Sequence, residues 1–222
     1  MTSGADGGRG GRRRFLVGAG CLALLLPLMA QFSEAEGEPR LRQQVIPILG
    51  VTLEKEPTGT LALILVSVQQ REDTSGLIVR FMTTPGRFSR MAQTSAEQAI
   101  YRTARAVGVS PDSWSVELTV PQPGLTVYGD SLSAMVGLSV VALANGDAIS
   151  SDRVITGTVT PDGRIGPVGS VPLKVLAAHE AHMRRVLIPD QFDTSDGDWA
   201  TPFLVQVSPV GSVNQAYEAL TE

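Results

Sequence analysis

The sequence has little of the chemistry that depends on sulfur or imidazole. Its 222 residues include one cysteine, Cys21, and two histidines, His179 and His182. Because Cys21 lies in an apolar N-terminal stretch, the rest of the chain can form neither an intrachain disulfide nor a cysteine-based metal site. The histidines are three positions apart, outside an H-E-x-x-H pattern and without an evident third ligand, so we expect a solvated helix face and neither a metal nor another cofactor.

Positive charge is also scarce in the body of the chain. The net charge is −4, and residues 36–222 carry 14 basic against 20 acidic side chains. A mildly acidic body without a basic stripe argues against nucleic acid as a partner. No G-x-x-x-x-G-K-[ST] sequence occurs, so these residues include no P-loop for ATP. The apolar fraction of 43% is typical of a globular protein with a core.

Residues 1–35 have the three parts of an export signal. Arginines at positions 12–14 precede an apolar run at 15–29, and small residues follow up to Ala35. The arginines and the following Phe-Leu pair also match a twin-arginine signal. The run is shorter than the roughly 20 residues that cross a bilayer comfortably, so cleavage after Ala35 and retention of residues 15–30 as an inner-membrane anchor both stay open. Either way we expect an extracytoplasmic body, periplasmic or in the cell envelope.

The pattern of apolar residues predicts a linker at 36–44 and one domain at 45–222. Polar residues dominate the first segment, and strands and helices interleave in the second half of the domain. This order is typical of an α/β (mixed α+β) class. The predicted strands are 45–53, 60–68, 76–82, 114–120, 153–160, 186–188 and 204–207, and the predicted helices are 94–107, with Ser95 as N-cap, 131–144, 171–181 and 213–220.

Two polar residues stand where catalysis could use them. Ser131 lies at a predicted loop-to-helix junction, where unpaired backbone N–H groups could stabilise the oxyanion of a tetrahedral intermediate. Lys174 lies in an apolar helical segment. Loss of solvation there would lower its pKa and favour a neutral amine that can accept the serine proton.

The segments around these residues resemble the proteolytic domain of Lon peptidases. Ser131 and Lys174 are 43 positions apart, which is the spacing of that family. The resemblance runs from about residue 45 to the C-terminus and is strongest over 129–189. The matching segments, in order, are Gly129-Asp130-Ser131, Thr156-Gly157-Thr158-Val159-Thr160, Gly163-Arg164-Ile165-Gly166-Pro167-Val168-Gly169, Lys174, Ala177-Ala178-His179 and Val186-Leu187-Ile188-Pro189.

The resemblance implies a Ser-Lys dyad without an acidic third member. Ser131 corresponds to the nucleophile, Lys174 to the general base, and Thr156 to a hydroxyl that hydrogen-bonds the lysine, with Gly129 in the supporting turn. Asp130 replaces the family's proline, and as a helix N-cap its carboxylate would favour the charged form of Lys174.

Two further substitutions fall near the dyad, and other nucleophiles remain to be weighed. Leu132-Ser133 replaces the family's Ala-Gly, and Ser170 replaces the second glycine of a Gly-Gly pair. Ser133 is an alternative nucleophile on the same turn. The segment from Gly129 to Leu132 also spells the GDSL signature of another hydrolase class, but neither histidine has an aspartate three positions before it, which that class requires.

By resemblance, the chain is expected to be a serine endopeptidase that hydrolyses unfolded or accessible polypeptide segments without ATP. A homo-oligomeric ring, hexameric as in the family, is implied, and an uncleaved N-terminal segment would add membrane attachment. Two other functions stay open: a catalytically silent scaffold or peptide-binding domain, and an accessory subunit of a separate membrane ATPase.

Overall fold

The structure, a computed structural model, describes residues 41–191, 196–197 and 199–222, all of which belong to one compact unit. The predicted export segment 1–35 and the first five residues of the predicted linker lie outside the described residues. Within the described part of the chain, no helix is both long enough and apolar enough to span a bilayer.

Strands and helices interleave along the described chain, which confirms the predicted mixed α/β class. The elements are β1 Leu41–Val51, β2 Gly59–Gln70, β3 Ile78–Phe81, β4 Arg87–Phe88, α1 Arg90–Val107, β5 Trp114–Thr119, β6 Thr126–Val127, α2 Ser133–Asn145, β7 Arg153–Ile155, β8 Thr158–Val159, β9 Ile165–Gly166, α3 Val171–Glu180, β10 Arg185–Pro189, β11 Gln206–Val210 and α4 Val213–Thr221.

The largest sheet has four strands in the order β1-β2-β5-β3, in which only the β3–β5 pair is parallel. Its edge strand β1 begins at Leu41, four residues before the predicted domain boundary. The strand was predicted to begin only at residue 45, because most of the four residues before it are polar. The side chains of Arg42 and Gln44 donate hydrogen bonds to carbonyl oxygens at and after the end of α2. These polar side chains therefore have hydrogen-bond partners at the sheet edge.

The main core lies between this sheet and helices α1, α2 and α4. Every residue of α2 from Ser133 to Leu143 is buried, so the helix has no polar face. A helix that is apolar all round is typical of the centre of a domain. Helix α2 is therefore packed against neighbouring elements on all sides.

A second, smaller core surrounds α3. Its buried residues Val171, Val175 and Ala178 pack with Leu49 of β1 and with residues of a three-stranded parallel sheet of order β11-β10-β7. These helix positions follow the spacing of one helical face. Helix α3 is thereby held between the two sheets.

Several element boundaries differ from the predicted ones. Helix α1 begins four residues earlier, because the Ser89 side chain rather than Ser95 caps it by accepting the N–H of Ala92. The predicted strand 153–160 is divided into β7 and β8 by a short link. The strand predicted at 204–207 begins at Gln206. His182 lies beyond the end of α3 with φ of 59°, so the two histidines do not share a helix face.

Gly59, the first residue of β2, allows α3 to approach the hairpin closely. A Cβ atom at this position would overlap the carbonyl oxygen of Leu173 and lie 2.7 Å from its carbonyl carbon. Backbone atoms cannot move away as a flexible side chain can. The absence of a side chain at Gly59 therefore helps to fix the position of α3.

We predict that Gly59→Ala lowers the free energy of unfolding by about 1–3 kcal/mol, because the added methyl group displaces α3. Urea unfolding followed by circular dichroism measures this change. Gly50→Ala is the matched control in the same hairpin, since its Cβ would meet only Thr60 Cγ2 at 3.6 Å. Equal loss of stability in the two variants would contradict this account of α3.

Candidate active site

Ser131 lies in a turn immediately before α2. Gly129 has φ of 82°, a left-handed conformation that glycine adopts without strain, and this directs the chain into the turn. The carbonyl of Asp130 accepts the N–H of Ser133 at 2.9 Å. The helix therefore begins at Ser133, two residues after the predicted start, and Ser131 precedes its first turn.

The link between β7 and β8 holds the Ser131 turn through the backbone. The N–H of Gly157 donates to the carbonyl of Ser131 at 3.0 Å, and the Gly157 carbonyl accepts the N–H of Ala134 at 3.1 Å. A Cβ at Gly157 would lie 2.7 Å from Ile165 Cγ2, so this position has little room for a side chain. Two hydrogen bonds thus anchor the turn on both sides of Leu132.

Lys174 lies on the buried face of α3. It falls between Val171 and Ala178 in the helical repeat, and only 4% of its surface is exposed. The position of the lysine on the helix therefore carries its amine into apolar surroundings. A charged amine loses hydration energy there.

Burial lowers the pKa of Lys174 from 10.5 to about 8, against the opposing effect of the negative charges of Asp130 and Asp196. With a pKa of about 8, roughly one amine in ten is neutral at pH 7, compared with fewer than about one in a thousand for an ordinary lysine. Lys174 can therefore act as a base near neutral pH.

Ser131 and Lys174 line the same cleft of about 420 Å³. The structure contains no hydrogen bond between Ser131 Oγ and Lys174 Nζ, both of which belong to described residues. Catalytic hydrogen bonds are often long before substrate binds. Ser133 is 2% exposed and lines a different hollow, together with Asp130 and Thr158 but without Lys174.

Two backbone donors adjoin the serine. Among the described residues, the N–H groups of Ser131 and Leu132 donate to no backbone or side-chain acceptor. Both residues line the cleft. Unpaired N–H groups at this point match the donors that a developing oxyanion needs.

Two expectations about neighbouring side chains are wrong. Thr156 is fully buried, and its hydroxyl has no hydrogen-bond partner among the described residues, so it does not bond to Lys174. Asp130 does not cap α2, because Leu132 occupies the N-cap position and makes no side-chain cap. The nearby aspartate nevertheless acts on Lys174 through its charge, in the direction expected from the sequence.

Comparison with known proteins shows the family of this domain. Residues 79–198, more than half of the chain, match the model of the Lon protease (S16) C-terminal proteolytic domain. The chain belongs to this Lon proteolytic family. Lon protease 1 of Syntrophobacter fumaroxidans is 31% identical over 152 residues, which cover 63% of this chain and 18% of that protein. Lon protease of Chloroflexus aurantiacus is 28% identical over 114 residues, which cover 49% of this chain and 14% of that protein.

A peroxisomal relative shows the same relationship over a shorter segment. Lon protease homolog 2 of Xenopus laevis is 34% identical over 83 residues, covering 37% of this chain and 10% of that protein. The chain therefore spans less than a fifth of the length of these curated Lon relatives.

Two residues of this Lon-family domain make contacts at the candidate site that the sequence did not indicate. In the sequence Gly157 is only one residue of a motif, whereas in the structure its backbone holds the Ser131 turn. Asp196 accepts hydrogen bonds at the N-terminus of α3 and adds negative charge near Lys174. It follows the Val-Leu-Ile-Pro segment in a stretch of sequence without regular apolar periodicity, so no sequence signal connects it to Ser170.

The burial of Lys174 predicts a pH-dependent stability difference. Below about pH 8 the lysine is charged in both the folded and the unfolded chain, so burial of the charged amine lowers the free energy of unfolding. Between pH 8 and 10.5 the folded chain loses this proton before the unfolded chain does, and the loss of stability becomes smaller as the pH rises. We predict that Lys174→Met raises the free energy of unfolding at pH 7 by up to about 3 kcal/mol, and by less at pH 10. Urea unfolding at both values measures the difference.

The chain provides an internal control, because its other lysine, Lys55, is exposed. Lys55→Met should change stability little at either pH. A Lys174→Met variant that is less stable than the native chain at pH 7 would show that the charged amine is not penalised by burial.

Proposed function

We propose that the chain is a serine endopeptidase in which Ser131 and Lys174 form a catalytic dyad. The observation that carries this proposal is that both residues line one cleft, while burial lowers the pKa of the lysine to about 8. Membership of the Lon proteolytic family supports the same reaction class.

The chemistry follows from the roles of the two side chains. The neutral Lys174 amine takes the proton of the Ser131 hydroxyl while Ser131 Oγ forms a bond to the carbonyl carbon of the substrate. The N–H groups of Ser131 and Leu132 stabilise the resulting oxyanion. The lysine then returns the proton to the leaving amine as the peptide C–N bond breaks, and a water molecule hydrolyses the acyl-enzyme by the same proton path.

The cleft suits an extended peptide segment with an apolar side chain. Residues from the β1–β2 hairpin and the loop before α2 line it, and most of its lining is apolar; examples are Val51, Ala62, Leu125 and Val127. A folded substrate would have to expose such a segment first. The 222 residues include no P-loop, so we propose cleavage of unfolded or accessible segments without ATP.

The setting of this activity is proposed from the sequence and the family. The arginine cluster and apolar run in residues 1–35 support an extracytoplasmic location with the N-terminal segment cleaved or kept as an anchor. A homo-oligomeric ring is proposed by resemblance to Lon peptidases. Fractionation of cells and size measurement of the purified chain test these points. Recovery in the cytoplasm, or as a monomer at all concentrations, would overturn the respective proposal.

The activity test uses fluorescent casein and single substitutions. We predict release of fluorescent peptides by the purified chain without ATP, and a loss of at least about 100-fold with Ser131→Ala or Lys174→Ala, because each removes one partner of the dyad. Fluorescence increase over time at pH 8 measures the rate.

Ser133→Ala is the matched control on the same turn and should retain activity, since its side chain lines another hollow. Loss of activity in Ser133→Ala alone would transfer the nucleophile to that residue. Equal release by all versions, native included, would reject the peptidase and favour the silent scaffold. Activity only in the presence of a copurifying ATPase would favour the accessory subunit.

A further inference from the structure

The N-terminus of α3 is capped by a residue more than twenty positions further along the chain. Ser170 precedes the helix with φ of 58° and caps no N–H with its own hydroxyl. Instead, the two carboxylate oxygens of Asp196 accept the N–H groups of Ser170 at 2.9 Å and of Val171 at 3.0 Å. A carboxylate here satisfies donors that the helix leaves unpaired and interacts favourably with the helix dipole.

The Asp196 carboxylate caps the helix turn that contains Lys174. The backbone N–H of Lys174 donates to the carbonyl of Ser170 at 3.2 Å. Lys174 therefore belongs to the first turn of the helix that Asp196 caps. The left-handed backbone at Ser170, where the family has a glycine, is unfavourable for a serine. Asp196 therefore stabilises the strained backbone at Ser170, four residues before Lys174.

Among the residues that the structure describes, few charged groups face the lysine. Within the part of the chain that the structure describes, the negative charges that act on it are those of Asp130, before α2, and Asp196. Of the strands packed against α3, β2 carries no charged residue and β1 carries only Arg42, which bonds to carbonyls of α2. On β10, Arg185 donates to Ser208. Asp196 thus supplies one of the two negative charges that the described residues place near the lysine.

We propose that Asp196 is a positioning residue for Lys174: its carboxylate holds the first turn of α3 in place and keeps a negative charge near the lysine amine. Its effect on catalysis rests on the proposed function. The two effects are separable, because asparagine can retain a hydrogen-bond acceptor without the charge, whereas alanine removes both.

The primary test is a titration that needs no enzymatic activity. The full chain labelled with ¹³C-lysine gives signals from only two lysines, Lys55 and Lys174. In Asp196→Asn, we expect the Lys174 signal to titrate at lower pH than in the native chain, with Lys55 unchanged. Glu180→Gln, which removes an exposed charge from the other end of α3, should leave Lys174 unchanged.

A Lys174 titration that is the same in Asp196→Asn as in the native chain would overturn the proposal. An equal shift in Glu180→Gln would do so as well, because the effect would then not be specific to Asp196. Asp196→Asn keeps a capping acceptor, so it also decides the question if Asp196→Ala fails to fold.

The second readout is the pH dependence of peptide hydrolysis. We expect the acidic limb of the kcat profile to move to lower pH in Asp196→Asn, and kcat at its optimum to fall roughly tenfold or more in Asp196→Ala with a smaller change in KM. Partial rescue of kcat by asparagine relative to alanine supports positioning. Equal kcat and an unchanged profile in both variants would contradict it. An inactive native chain rejects the proposed function, while the lysine titration still decides the role of Asp196.

Discussion

The candidate site depends on the burial of one amine on the apolar face of a helix. Lys174 takes the place of an apolar residue between Val171 and Ala178, and the loss of hydration there brings its pKa to about 8. An exposed lysine in the same cleft would be almost fully charged at neutral pH and could not accept a proton. The packing of α3 between two sheets therefore determines whether Lys174 can act as a base.

Two opposing requirements meet at this helix. Burial favours the neutral amine, whereas Asp130 and Asp196 favour the charged one. Asp196 also caps the helix, so the residue that stabilises the position of the lysine partly opposes its deprotonation. A pKa near 8 reflects this balance, and it leaves the amine able both to take a proton and to return it.

The sequence was sufficient for the features that depend on local pattern. A helix was predicted at 131–144, where the structure has α2, and the apolar neighbours of Lys174 predicted a desolvated amine. It was insufficient where distant segments compete for a backbone group. The start of α2 is shifted because Gly157 holds the Ser131 turn, and the cap of α3 comes from Asp196, more than twenty residues away. Neither contact has a periodic signal.

The most direct measurement is the acylation of the native chain by an activated ester, with the modified residue identified by mass spectrometry at each pH. We expect acylation of Ser131 at a rate that rises with pH to a plateau with a midpoint near 8, and we expect Lys174→Ala to abolish the reaction. Acylation of Ser133 instead, or a Ser131 reaction that is independent of Lys174, would show that this buried amine does not activate this serine.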